Sequence, residues 1–126
     1  MSSVRIISTN KTAVINALET LVKRLKTRPE VLEVHLCGSW AKGNYSPYSD
    51  VDLLIVIKDD GRMPHDRVPH YLPDSFPLGL DLFIYTVDEL EKSRFARELL
   101  KDAVRLWSSN PAHLTTSSQI RMVFQR

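Results

Sequence analysis

The chain has 126 residues, a 43% apolar share and a net charge of +2. That length suits one domain with its own core, and that charge is too small to argue for nucleic acid by itself. One cysteine, Cys37, excludes an internal disulfide framework and a cysteine-rich zinc site. It stands in an apolar run and reads as a small core residue rather than a nucleophile. No run is long enough to span a bilayer and no signal-peptide core opens the chain, so a cytoplasmic protein is expected.

Residues 1–10 are polar around Ile6 and Ile7 and read as an edge strand or a loose end. A helix is predicted from about Lys11 to Thr27, with Asn10 as its N-cap and Pro29 just past its end. Ala13, Val14, Ala17, Leu18, Leu21, Val22 and Leu25 form its apolar stripe. Its basic residues, with Arg5 and Arg28 nearby, read as a solvated face. The sharper alternative is a docking surface for an acidic partner or RNA. Val31–Cys37 reads as a strand that Gly38 breaks, and residues 39–49 as a helical turn followed by a loop. Val51–Ile57 is a β-branched run, the pattern of a strand buried on both faces. Lys58–Pro77 reads as a long loop and holds four of the seven prolines. Leu78–Tyr85 is the next strand. Thr86 and Glu89 have capping-box spacing and open a helix to about Leu100. Ala103–Trp107 is a last short strand. Residues 1–107 are taken as the domain, and 108–126 as a tail that is mobile or held by a partner. Strands and helices mix around one sheet, so the class is α/β or α+β, a small mixed sheet flanked by helices.

The informative stretch runs from Gly38 to Leu53. A strand enters Gly38, and a glycine lets the backbone approach a ligand closely. Ser39 starts a helical turn whose free N–H groups suit a phosphate, and its hydroxyl can add a donor. Gly43 lets the chain bend away, and Ser49 braces the turn before Asp50. Asp50 and Asp52 share one face at a strand start, about 7 Å apart along the strand. Two carboxylates so placed repel unless a cation lies between them. Hard oxygen donors beside a triphosphate favour Mg²⁺, with Mn²⁺ as an alternative. Asp81 interrupts an apolar strand, where an unpaired charge is costly. If its strand neighbours Val51–Ile57, it completes a three-carboxylate cluster. Such a cluster suits two-metal phosphoryl chemistry, with Asp81 placed for the second ion and as a base.

The residues GSWAKGNYSPYSDVDLLIVI, followed by GLDLFIY, closely resemble the minimal nucleotidyltransferase domain of the DNA polymerase β superfamily. The resemblance covers about residues 11–107. It implies the polymerase β-like nucleotidyltransferase fold and an enzyme that transfers a nucleotidyl group, with ATP the favoured donor. It implies nucleotide binding at Gly38 and Ser39, with Gly43 and Ser49 in the same turn. Two Mg²⁺ ions would be held by Asp50, Asp52 and Asp81, which are then the catalytic carboxylates. Larger members carry a further helical domain for the acceptor, and little follows Trp107 here. Minimal members resembling this chain are often paired with a small HEPN-type protein in toxin–antitoxin modules, in some cases attaching AMP to the toxin. A HEPN-type partner is therefore the expected acceptor, and a homo-oligomer stays open. Membrane and nucleic acid are not expected partners. The rival readings are a binding module that neutralises a toxin by occlusion, and transfer to a small molecule.

Other residues carry weaker signals. Lys42 reads as an exposed lysine before a phosphate contact, and Trp40 as packing under the turn before stacking on a base. His65 and His70 read as surface residues, His35 as structural. Tyr45 and Tyr48 line either the cleft mouth or plain surface.

Overall fold

The computed structural model describes residues 2–46 and 48–110, with side chains from residue 11 onward. Helix α1 runs Ser2–Leu25. It therefore begins well before the expected Lys11, and Asn10 lies inside it rather than capping it. Neither glycine nor proline interrupts Ser2–Leu25, so the polar residues read as a break do not stop the backbone. Val14, Leu18, Leu21, Val22 and Leu25 are its buried stripe. Lys23 and Arg24 in the last turn complement the negative end of the helix dipole.

Strand β1, Val31–Cys37, is followed at once by the short helix α2, Gly38–Lys42, and then by β2, Val51–Ile57. Strands β3, Leu80–Thr86, and β4, Val104–Ser108, complete the sheet in the order β3-β2-β1-β4. β1 runs antiparallel to β2 and β4, while β2 and β3 are parallel. A register shift between Val31 and Glu33 marks a bulge in β1. The expected tail beyond Asn110 lies outside the described residues.

Alternation along the strands sends two sets of side chains to opposite faces. Val34, Leu36, Leu53, Ile55, Ile57, Leu82 and Ile84 join the α1 stripe in the larger core cluster. Cys37, Leu54 and Val56 join Ala96, with Phe83, Tyr85 and Leu90 packed around them. β2 is thus buried on both faces, as its unbroken apolar run predicts.

Two segments differ from the sequence reading. The predicted helix to Leu100 is two helices, α4 (Val87–Lys92) and α5 (Arg94–Leu100). Ser93 divides them: its backbone is extended and its hydroxyl accepts from Ala96 N at 3.1 Å, a local bond that competes with continued helix. The Thr86–Glu89 capping box is present in both directions. The Lys58–Pro77 stretch contains helix α3, Pro64–Arg67, and a 3₁₀ turn, Val68–His70.

Arg67 anchors this crossover. Its side chain is 0% exposed and forms a two-pronged pair with Glu89, at 2.6 and 2.9 Å. The same guanidinium donates to the carbonyls of Ile84 at 3.0 Å and Asp60 at 2.8 Å, and to that of Arg62. One side chain so ties the crossover, β3 and α4 together. Arg67 draws the Glu89 carboxyl down from an ordinary 4.5 to about 2, despite burial acting against this. The pair's contribution is therefore full above about pH 4.5 and fades as pH falls toward 2. Arg67→Ala should cost about 3 kcal/mol in denaturant unfolding at pH 7, since it strands a carboxylate and three carbonyls. Glu89→Gln should flatten the loss of stability measured between pH 4.5 and 2.

Candidate active site

The candidate site forms where β1 ends and β2 and β3 begin. Cys37 lies opposite Asp52 across the antiparallel pair, and Asp52 lies opposite Asp81 across the parallel pair. Asp50 is two residues before Asp52, so all three carboxylates share one face. Gly38 follows Cys37 with φ of 67°, a left-handed backbone that favours glycine. A Cβ there would lie 3.3 Å from Asp52 Cγ and would collide with its Oδ2. The missing side chain is what lets the β1–α2 turn close over Asp52.

Asp52 is half-buried while Asp50 and Asp81 are exposed. Burial raises the Asp52 carboxyl above the ordinary range, and the negative charges of Asp81 and Asp50 push it further. A carboxyl–carboxyl hydrogen bond with Asp81, which needs a shared proton, adds to this. The three groups are therefore close enough to feel one another. Burial also pushes the Cys37 thiol up to about 12, with Asp52 adding to it. A thiol held protonated is a packing residue, not a nucleophile.

The α2 turn is held by its own contacts. Gly43, with φ of 81°, caps α2 and its N–H donates to Ser39 O at 3.0 Å. Trp40 is buried, donates from Nε1 to Ser49 O at 2.9 Å, and stacks on Tyr45 at 3.8 Å between ring centres. The Ser49 hydroxyl accepts from Ser46 N at 2.8 Å. Trp40 and Ser49 thus fix the loop that delivers Asp50. Lys42 reaches Asp102 at 3.8 Å, both ends largely exposed. His65 and His70 are exposed, and half-buried His35 contacts Glu33 at 2.7 Å. Tyr48 is exposed and Tyr45 packs on Trp40.

Among the described residues no three carboxylate, imidazole or thiol groups converge into a finished metal cage. Mg²⁺ does not need one, because it commonly takes one or two carboxylates plus water and substrate phosphates. The donor chemistry here fits such an ion: hard oxygens only, like charges that repel, and a cradle beside Gly38 that a Cβ would fill. Asp52 and Asp81, with Asp50 beside them, could hold it.

Residues 18–122 match the family model described as "Nucleotidyltransferase domain", and the chain belongs to that family. A provisionally named nucleotidyltransferase from Sulfolobus solfataricus has the same fold, with a TM-score of 0.61 at 22% identity over 82% of this chain and 88% of that one. A toxin–antitoxin structure with AMP-PNP matches at a TM-score of 0.48 and 18% identity, over 88% of this chain and 86% of that one. No curated protein matches the chain. No helix among the described residues is long and apolar enough to cross a membrane.

Two residues at or near the site escape the sequence reading. Gly79 packs against Asp50: a Cβ there would lie 2.7 Å from Asp50 Cγ. Its only sequence signal is its place two residues before Asp81. Arg67 sits among prolines with no periodicity to mark it as buried.

Gly38→Ala and Gly43→Ala separate backbone from site effects. Each forces a left-handed alanine and should cost about 1–2 kcal/mol in denaturant unfolding. Only Gly38→Ala meets a carboxylate, since nothing lies within 4 Å of a Cβ at Gly43. It should be the more destabilising of the two. Asp81→Asn should lower the Asp52 titration midpoint seen by carboxyl NMR. It should not bring it to the ordinary value, because burial remains the first cause of the shift. A raised folded-state value has the opposite linkage sign to Glu89: its stabilising effect is present at low pH and is lost as pH rises. Asp52→Asn should therefore leave stability at pH 7 unchanged or raise it.

Proposed function

We propose that this chain transfers AMP from ATP to a hydroxyl on a partner protein, with Mg²⁺ or Mn²⁺ at Asp50, Asp52 and Asp81. The observation that carries the reading is the direct pairing of Asp52 with Asp81 across parallel strands, in a member of the nucleotidyltransferase domain family. Asp50 stands on the same face, and the Gly38 turn closes over Asp52.

The acceptor oxygen forms a bond to the α-phosphorus, the bond to the β-phosphate oxygen breaks, and pyrophosphate leaves. Divalent cations bound at the carboxylates supply charge neutralisation and a lowered acceptor pKa. Gly38 and Ser39 hold the triphosphate against the start of α2. Asp50 and Asp52 fix the donor side of the site. Asp81, exposed on the edge strand, faces the acceptor and receives its proton. The surrounding protein mostly positions these groups.

The partner is inferred to be a HEPN-type toxin, with this chain as its antitoxin. That inference rests on the likeness of GSWAKGNYSPYSDVDLLIVI to minimal members of the superfamily. Incubation with α-phosphate-labelled ATP, Mg²⁺ and a candidate HEPN-type partner should label the partner. Asp52→Asn should lower the transfer rate by about a hundredfold or more without lowering thermal stability. Full-rate transfer by that variant would overturn the assignment. If a variant lacking Asp50, Asp52 and Asp81 still neutralised the partner, occlusion rather than transfer would be the antitoxin activity.

A further inference from the structure

The parallel register extends one step beyond the strands' first residues. Val51 pairs with Leu80 and Asp52 with Asp81, and Val51 N donates to Gly79 O at 2.8 Å. Gly79 is therefore the cross-strand neighbour of Asp50. Asp50, Asp52, Gly79 and Asp81 form a two-by-two patch on one face of the sheet. Three corners carry carboxylates. The fourth carries no side chain.

The Asp50 carboxylate fills that corner. A Cβ at Gly79 would collide with Asp50 Oδ1, lie 2.7 Å from its Cγ and lie 3.3 Å from its Oδ2. We infer that Gly79 is a positioning residue: its bare Cα lets the Asp50 carboxylate lie across β3, next to the Asp52–Asp81 pair. Gly79 has no positive φ, so its backbone does not demand glycine. The requirement for glycine comes from the space above it. Asp50 is exposed and its side chain is short and free to rotate, so an added methyl displaces the carboxylate and not the chain. Gly61 is the natural control, because nothing lies within 4 Å of a Cβ there and its φ is not positive.

The inference rests on the metal-site reading above, and Mn²⁺ alone tests both. Free Mn²⁺ is counted by its electron paramagnetic resonance signal while the folded chain is titrated in. Gly79→Ala should weaken Mn²⁺ binding about ten- to a hundredfold, the range seen when a ligand's support is removed. Gly61→Ala should change nothing, and thermal midpoints of both variants should stay within about 4 °C of wild type. In an Asp50→Ala background, adding Gly79→Ala should have no further effect, since the methyl then displaces nothing. Unchanged Mn²⁺ affinity in Gly79→Ala, with wild type binding, overturns this inference and leaves the metal site standing. Equal losses in the presence and absence of Asp50, or collapse of the Gly79→Ala fold, also overturn it. Wild type that binds no Mn²⁺ overturns both readings.

Discussion

Everything at the candidate site depends on one pairing: Asp52 opposite Asp81 in adjacent parallel strands. Adjacent strands lie about 4.8 Å apart, so the two carboxylates cannot avoid each other. A one-residue slip in that register would turn Asp81 to the other face and leave Asp52 opposite an apolar residue. The register must therefore be held firmly, although the groups it brings together repel. The apolar residues that follow supply the hold. Leu53, Leu54, Ile55 and Ile57 are 0% exposed, and each such side chain gains about 1.5–3 kcal/mol on burial. That outweighs the repulsion of a partly solvated carboxylate pair several times over.

A parallel pair also needs a crossover, since no hairpin can join the end of one strand to the start of the other. Residues 58–79 make that journey with one turn of α3 and one 3₁₀ turn, not with a full helix. So little regular structure would be a weak fastening. Arg67 compensates by binding Glu89 and three backbone carbonyls from inside the core. The carbonyl of Ile84 is on β3 itself, three residues beyond Asp81. A buried guanidinium is costly to desolvate, and here every hydrogen bond it makes joins segments that would otherwise separate.

The sequence was legible where chemistry and periodicity coincide. The runs Val31–Cys37 and Val51–Ile57 have the strand bounds read from them, because unbroken β-branched runs ending at turn residues have few other solutions. The Thr86 capping box was visible from two residues. The three aspartates could be named because a carboxylate in an apolar strand calls for an explanation. Legibility failed where polar residues belong to an element. Asn10 looked like a cap and sits inside α1, and Ser93 looked helical and divides α4 from α5. Arg67 and Gly79 were invisible for a related reason. Their roles lie in what faces them across the fold, Glu89 and Asp50, and not in any local pattern.

The two acidic centres of the molecule work in opposite directions. Glu89 is drawn down by Arg67 and strengthens the fold once ionised, whereas Asp52 is pushed up by burial and its neighbours and weakens the fold once ionised. At neutral pH the crossover clamp is at full strength while the carboxylate patch is under its greatest repulsion. A cation bound at the patch would remove that repulsion, and some of its binding energy would appear as stability. The clamp and the patch are joined through β3, with Arg67 at Ile84 and Asp81 near its start. The fold thus holds three like charges together in advance of a ligand, and the energy that does so comes from the core and from Arg67.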